Sequence, residues 1–169
     1  MEKKLPSWVF KAPWQRIHDA AERHKLPPEL IAAVIQLESG GNTYAVRYEP
    51  LYRWTHMIAS LANVAGCTYA TMEQMQKTSY GLMQVMGGVY YEHRKISDGY
   101  WATAMIDPDI GLDFGCRHLK QKFVQYGPDP ANTYAAYNAG SVRFTPGGHF
   151  QNQRAVDIFM GYYRQLCDI

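Results

Sequence analysis

The chain has 169 residues, a hydrophobic content of 47%, a charged content of 19% and a net charge of +2. That length suits one domain burying about 70% of the surface its unfolded form exposes, and that composition excludes a disordered chain. With no basic run longer than Lys3-Lys4, the charge gives no support for nucleic-acid binding.

Helical signals dominate and no run of alternating strands stands out, so the pattern predicts a mainly α, single domain over 1–169. A first helix is expected over about 13–25, with Trp14, Ile17, Ala20 and Ala21 on one side, broken by Pro27-Pro28. The next, Pro28 to Glu38, sets Ile31, Val34 and Ile35 at inward spacing, and Glu38 falls on the same stripe. Apolar neighbours disfavour a carboxylate's charge and raise its pKa above about 4.3, which is the condition a general acid needs. Ser39-Gly40-Gly41-Asn42 then stops the helix and leaves that carboxylate at a helix end facing a cleft. A glutamate that merely points to solvent is the bland alternative.

The stretch from 43 to 78 predicts one or two helices, with Met57, Leu61 and Val64 at helical spacing. Gly87-Gly88 and Gly147-Gly148 read as turns, since neither is followed by the Lys-Ser/Thr of a phosphate loop. Asp107-Pro108-Asp109 combines a cap, a proline at the first helical position and an acid in the first turn. The helix it starts should turn Leu112, Cys116, Leu119 and Phe123 inward and end at Gly127-Pro128. Asp129-Pro130 repeats the start signal for a short helix ending at Gly140. A closing helix should dock through Ala155, Ile158, Phe159, Tyr162, Tyr163 and Leu166.

Cys67, Cys116 and Cys167, an odd number at wide spacing, read as reduced, buried thiols. The six histidines form no metal-ligand pattern, so no metal and no cofactor is expected. The stretch from Met1 to Trp8 lacks the apolar core and cleavage site of an export signal, and no segment approaches the ~18 apolar residues of a membrane span. Synthesis in the cytoplasm follows as the expectation. The 13 tyrosines are mostly packing, yet a ring with a polar tip also suits a saccharide groove.

Three motifs follow in order: Glu38-Ser39-Gly40-Gly41-Asn42, Ser79-Tyr80-Gly81-Leu82-Met83-Gln84 and Ala135-Ala136-Tyr137-Asn138-Ala139-Gly140. In this order the chain resembles the catalytic domain of the soluble lytic transglycosylases, relatives of goose-type lysozyme, from about 14 to 166. The resemblance implies a lysozyme-like fold with a substrate groove between its lobes. It departs from the family at Gly111, where asparagine is usual, at Gly87, where proline is common, and in the long insert between Asn42 and Ser79.

The activity implied is cleavage of the MurNAc-GlcNAc bond in the glycan strands of peptidoglycan; separately, a monomer is expected. Glu38 would protonate the leaving oxygen and then take a proton from the C6 hydroxyl, giving a 1,6-anhydro sugar. Ser79, Gln84 and the Gly81–Met83 backbone would line the groove, Met83 included among the substrate contacts. Tyr137 would place its hydroxyl near the reacting acetamido group or the glutamate, and Asn138 would contact an N-acetyl substituent, although both also suit helix packing and a C-terminal turn. Leu82 reads as core. Glu49 carries two open readings: a second carboxylate that activates water, making the enzyme a hydrolytic lysozyme, or an ion-pair partner of Arg47 or Arg53 that orders the insert. A non-catalytic glycan-binding or virion protein is the rival from another class, and the intact Glu38 argues against it. The lack of an export signal and of a wall-binding domain suits a phage lysin, a virion-borne enzyme or a secretion-machine component.

Overall fold

The apolar run Leu30-Ile31-Ala32-Ala33-Val34-Ile35 leaves no polar side for a helix to turn outward, and all six side chains are buried. The computed structural model of the chain describes residues 14–95, 98–99 and 101–167. The Met1–Trp8 stretch and the expected helix start at 13 lie outside the described residues. Two compact units emerge: described residues up to Gly41 and from Gly115 onward form one, and Asn42–Phe114 form the other.

In the first unit, α1 (Trp14–His24) buries Ile17, Ala20 and Ala21 as its spacing predicts. The central helix α2 (Pro28–Ser39) starts on Pro28 with Glu29 in its first turn, and it stops at Gly40, whose φ of 62° only glycine adopts without strain. Packed around it are α1 and α8 (Gln153–Cys167), with α7 (Pro130–Ala139) against α8. The Asp129 side chain caps α7 by accepting from the Asn132 N–H at 2.7 Å. On α8 the buried side chains are Val156, Phe159 and Leu166, so the inward stripe lies one position away from the expected one at its start. Val156 replaces Ala155, and Ile158 is 41% exposed. The expected set spanned too wide an arc, and its edge residues fall at the helix flank.

The second unit holds β1 (Val46–Tyr48), α3 (Ile58–Ala65), α4 (Tyr69–Gln76), β2 (Thr78–Tyr80), β3 (Val85–Met86) and α5 (Gly87–His93). A 3-10 turn, Ala102–Ile106, precedes α6 (Pro108–Tyr126), within which the division between the units falls. The strands form an antiparallel sheet in the order β1-β2-β3, with Arg47 opposite Ser79 and Ser79 opposite Met86. This sheet corrects the strand-free expectation. Strands of two or three residues are too short to show a period of two, and β2 is buried on both faces.

The long insert therefore contains a strand and two helices. On α3 the buried residue is Ala62, whereas Met57 and Val64 are largely exposed, so the expected Met57, Leu61, Val64 face is not the inward one. Gln76, fully buried at the end of α4, accepts from the His56 N–H at 2.6 Å and donates to the His56 carbonyl at 2.7 Å. Those two bonds imitate a strand pair and pin the loop before α3.

Of the departures from the family pattern, the two glycines have a packing cause. Gly87 opens α5 and does not form a free turn, and a Cβ there would lie 1.9 Å from the Met75 carbonyl oxygen at the end of the insert. A Cβ on Gly111 would meet the Met105 carbonyl oxygen at 2.3 Å, and one on Gly81 would meet the same oxygen at 2.1 Å. The 3-10 turn is seated against both glycines. Asp107 caps α6 as expected, accepting from the N–H groups of Asp109 and Ile110. Leu112, Cys116 and Leu119 are buried, and Phe123 is half-buried beneath the Lys120 ammonium. Of the cysteines, all free, Cys116 is buried, Cys67 is half-buried and Cys167 is exposed, which corrects the expectation of three buried thiols. No described helix is long and apolar enough to cross a membrane.

Candidate active site

Glu38 lies in the last turn of α2, half-buried, where the apolar run gives way to Ser39-Gly40-Gly41. Ser39 ties this end off. Its hydroxyl donates to the Ile35 carbonyl at 3.2 Å and accepts from the Gly41 N–H at 3.2 Å. The Glu38 backbone is thus held between a buried helix and an ordered turn.

Its side chain meets α7. The Tyr134 hydroxyl donates to Glu38 Oε1 at 2.9 Å, and Tyr134 is 1% exposed. One turn further along α7 is Tyr137, also buried. Burial lifts the Tyr137 phenol well above its ordinary value, and the nearby charges of Glu38, Cys116 and Tyr134 add to the rise. Tyr137 therefore stays protonated at neutral pH and offers a neutral hydroxyl. Its ring lies 5.3 Å from that of His118 on α6.

The sequence reading named Glu38 and Tyr137, and the structure brings them into electrostatic reach of one another. It did not name Tyr134. The available signal was spacing, because residues three apart on a helix share a face and Tyr134 stands three before Tyr137. Asn138 is exposed at the end of α7, and its Oδ1 accepts from the Asn152 amide at 2.9 Å.

Ser79, Met83, Gln84 and Glu49 belong to the second unit. Ser79 is 1% exposed and its hydroxyl donates to Gln84 Oε1 at 2.9 Å. Gln84 Nε2 donates in turn to the carbonyls of Ala45 at 2.9 Å and Gly81 at 3.0 Å. Gln84 takes a left-handed φ of 48° at the end of the β2–β3 turn that its side chain bridges. The two side chains thus satisfy one another and the turn. Met83 is 1% exposed and, like Leu82, belongs to the core. Glu49 Oε1 pairs with Arg47 Nε at 2.5 Å, both side chains being well exposed.

Among the described residues no group of His, Cys, Asp and Glu could hold a metal ion. The chemistry on view is that of a carboxyl group at a helix end addressed by buried phenols, in a small helical protein. The sequence matches the transglycosylase SLT domain over residues 15–153, and the chain belongs to that family. It is a peptidoglycan lytic transglycosylase with the mainly helical, lysozyme-like fold of the family. A search of curated proteins found no match.

Proposed function

We propose that the enzyme cuts the β-1,4 bond between MurNAc and GlcNAc without consuming water, with Glu38 acting first as acid and then as base. The observation that carries this reading is the Glu38 carboxyl at the end of α2, bonded to Tyr134 and within electrostatic reach of Tyr137. In the first step the Glu38 proton passes to the leaving GlcNAc oxygen as the C1–O bond breaks, while the substrate's acetamido group supports the cationic C1. The C6 hydroxyl then bonds to C1 and its proton returns to Glu38, so the sugar is released as a 1,6-anhydro product. Tyr137, kept protonated by its burial, serves as a hydrogen-bond donor toward the acetamido group. Asn138, exposed at the end of the same helix, contacts an N-acetyl substituent.

Ser79 and Gln84 are assigned a supporting role, shaping the β2–β3 turn, because their polar groups are bonded within the protein. The hydrolytic alternative needs a second carboxylate to activate water. The Arg47–Glu49 pair favours the structural role for Glu49.

Mass spectrometry of muropeptides released from purified cell wall tests the reading, since anhydro and reducing ends differ by one water. Anhydro ends are expected from the wild type. Reducing ends alone would replace the transglycosylase mechanism with hydrolysis.

A further inference from the structure

A fully buried phenol needs a partner, and Tyr134 finds it on a residue 96 positions away in the chain. The Tyr134 ring lies flat against Phe159 of α8, with centroids 4.4 Å apart and planes 7° apart. Phe159 is itself fully buried, and Tyr163 stacks beyond it at 6.0 Å. The hydroxyl is thus delivered to Glu38 by a ring that the core holds in place. A glutamate's last torsion has only a broad preference, so a fixed donor on one oxygen sets the plane of the carboxyl group.

We propose that Tyr134 is a positioning residue for the reaction, its stacked ring fixing the Glu38 carboxyl in the orientation from which it transfers protons. This rests on Glu38 being the acid and base. Alignment of that kind acts on turnover far more than on substrate affinity, because a misplaced proton donor still permits binding.

Groups other than Tyr134 also lie near Glu38, so the test must change the Tyr134 hydroxyl alone. On α7 the other phenol is Tyr137, with Cys116 and His118 of α6 around it. The packed face of α1 presents Ile17, Ala20 and Ala21, which carry no charge, and α8 presents Phe159 with Tyr163 beyond. A phenol that donates to a carboxylate favours its ionised form, so loss of the Tyr134 hydroxyl moves the basic limb of the kcat/KM profile to higher pH.

The test compares wild type, Glu38→Gln, Tyr134→Phe and a protein carrying 3-fluorotyrosine at position 134 alone, using muropeptide release from purified cell wall between about pH 4 and 9. For Tyr134→Phe we expect kcat about 10-fold lower or more, KM within about twofold and the basic limb at higher pH. The fluorinated ring keeps the stack and strengthens the donor, so its basic limb moves to lower pH. A folded Tyr134→Phe protein with wild-type kcat and pH profile, beside an inactive Glu38→Gln, would reduce Tyr134 to packing. If Tyr134→Phe does not fold, an unmoved limb in the fluorinated protein overturns the proposal. Wall cleavage by a folded Glu38→Gln protein would instead remove the assignment of Glu38 on which the proposal stands.

Discussion

Two polar clusters in this protein use similar groups to opposite ends. Around Gln84 the partners are neutral, the residues are almost wholly buried, and donors and acceptors answer one another across the β2–β3 turn. Around Glu38 the central group is ionisable and half-buried, and the donor that addresses it comes from a different helix. A closed neutral network stabilises a turn and has nothing left to exchange. A carboxyl at a helix end, oriented by a phenol but still partly open to solvent, is suited to passing a proton back and forth.

The sharpest way to break this contrast is Glu38→Gln, which preserves shape and removes the proton. A fall in wall cleavage of about 10² to 10⁴ or more is expected, with the thermal unfolding curve nearly unchanged. A folded variant that still cleaves would erase the distinction between the clusters.

Gln84→Ala probes the other side. It removes three side-chain bonds, although the Ser79 hydroxyl keeps the Arg47 carbonyl at 3.3 Å and the Ala45 and Gly81 carbonyls keep backbone N–H donors, so a loss of about 1 to 2 kcal/mol in denaturant unfolding is expected. Activity per folded molecule should fall much less than in Glu38→Gln. Wild-type stability with a large rise in KM would return Gln84 to the sugar-binding role that its motif implies.

Tyr137→Phe lies between the two. The ring stays in its buried position against His118 while the hydroxyl near Glu38 is lost, so turnover should drop about 10-fold and stability by no more than about 1 kcal/mol. An early-melting variant with normal turnover would move Tyr137 into the structural group.

Much of this was legible because helix signals are local. Asp107-Pro108, Asp129-Pro130, Gly40 and Gly140 mark their helix ends by their own chemistry, and Glu38 stands out as a candidate because a charge interrupts an apolar stripe. What was missed depends on distant partners or on backbone conformation. Tyr134 is one more aromatic on a short helix until α2 brings Glu38 to its hydroxyl. The bonds of Gln84 to Ser79 and to the Ala45 and Gly81 carbonyls likewise emerge only once the chain is folded. The three strands are too short for alternation to register, and α3 buries small Ala62 while the larger Met57 and Val64 face outward.

The smallest expected effect falls on the residue with the widest mechanistic consequence. Arg47 sits in an edge strand and Glu49 just beyond it, their side chains 62% and 40% exposed, so solvent screens the ion pair and it contributes about 0 to 1 kcal/mol. The order of the loop rests more on the backbone, where the Glu49 N–H donates to the Lys77 carbonyl at 2.7 Å and the Glu49 carbonyl accepts from the Tyr52 N–H at 3.0 Å. Glu49→Gln leaves both of those bonds in place and keeps the side-chain volume. Stability should shift by less than about 1 kcal/mol, turnover should stay within about twofold, and the released muropeptides should still carry anhydro ends. An enzyme that used Glu49 to activate water would behave otherwise: its turnover would collapse by orders of magnitude and its wild-type products would carry reducing ends. Measured together, turnover and product mass separate an exposed pair that orders a loop from a second catalytic carboxylate.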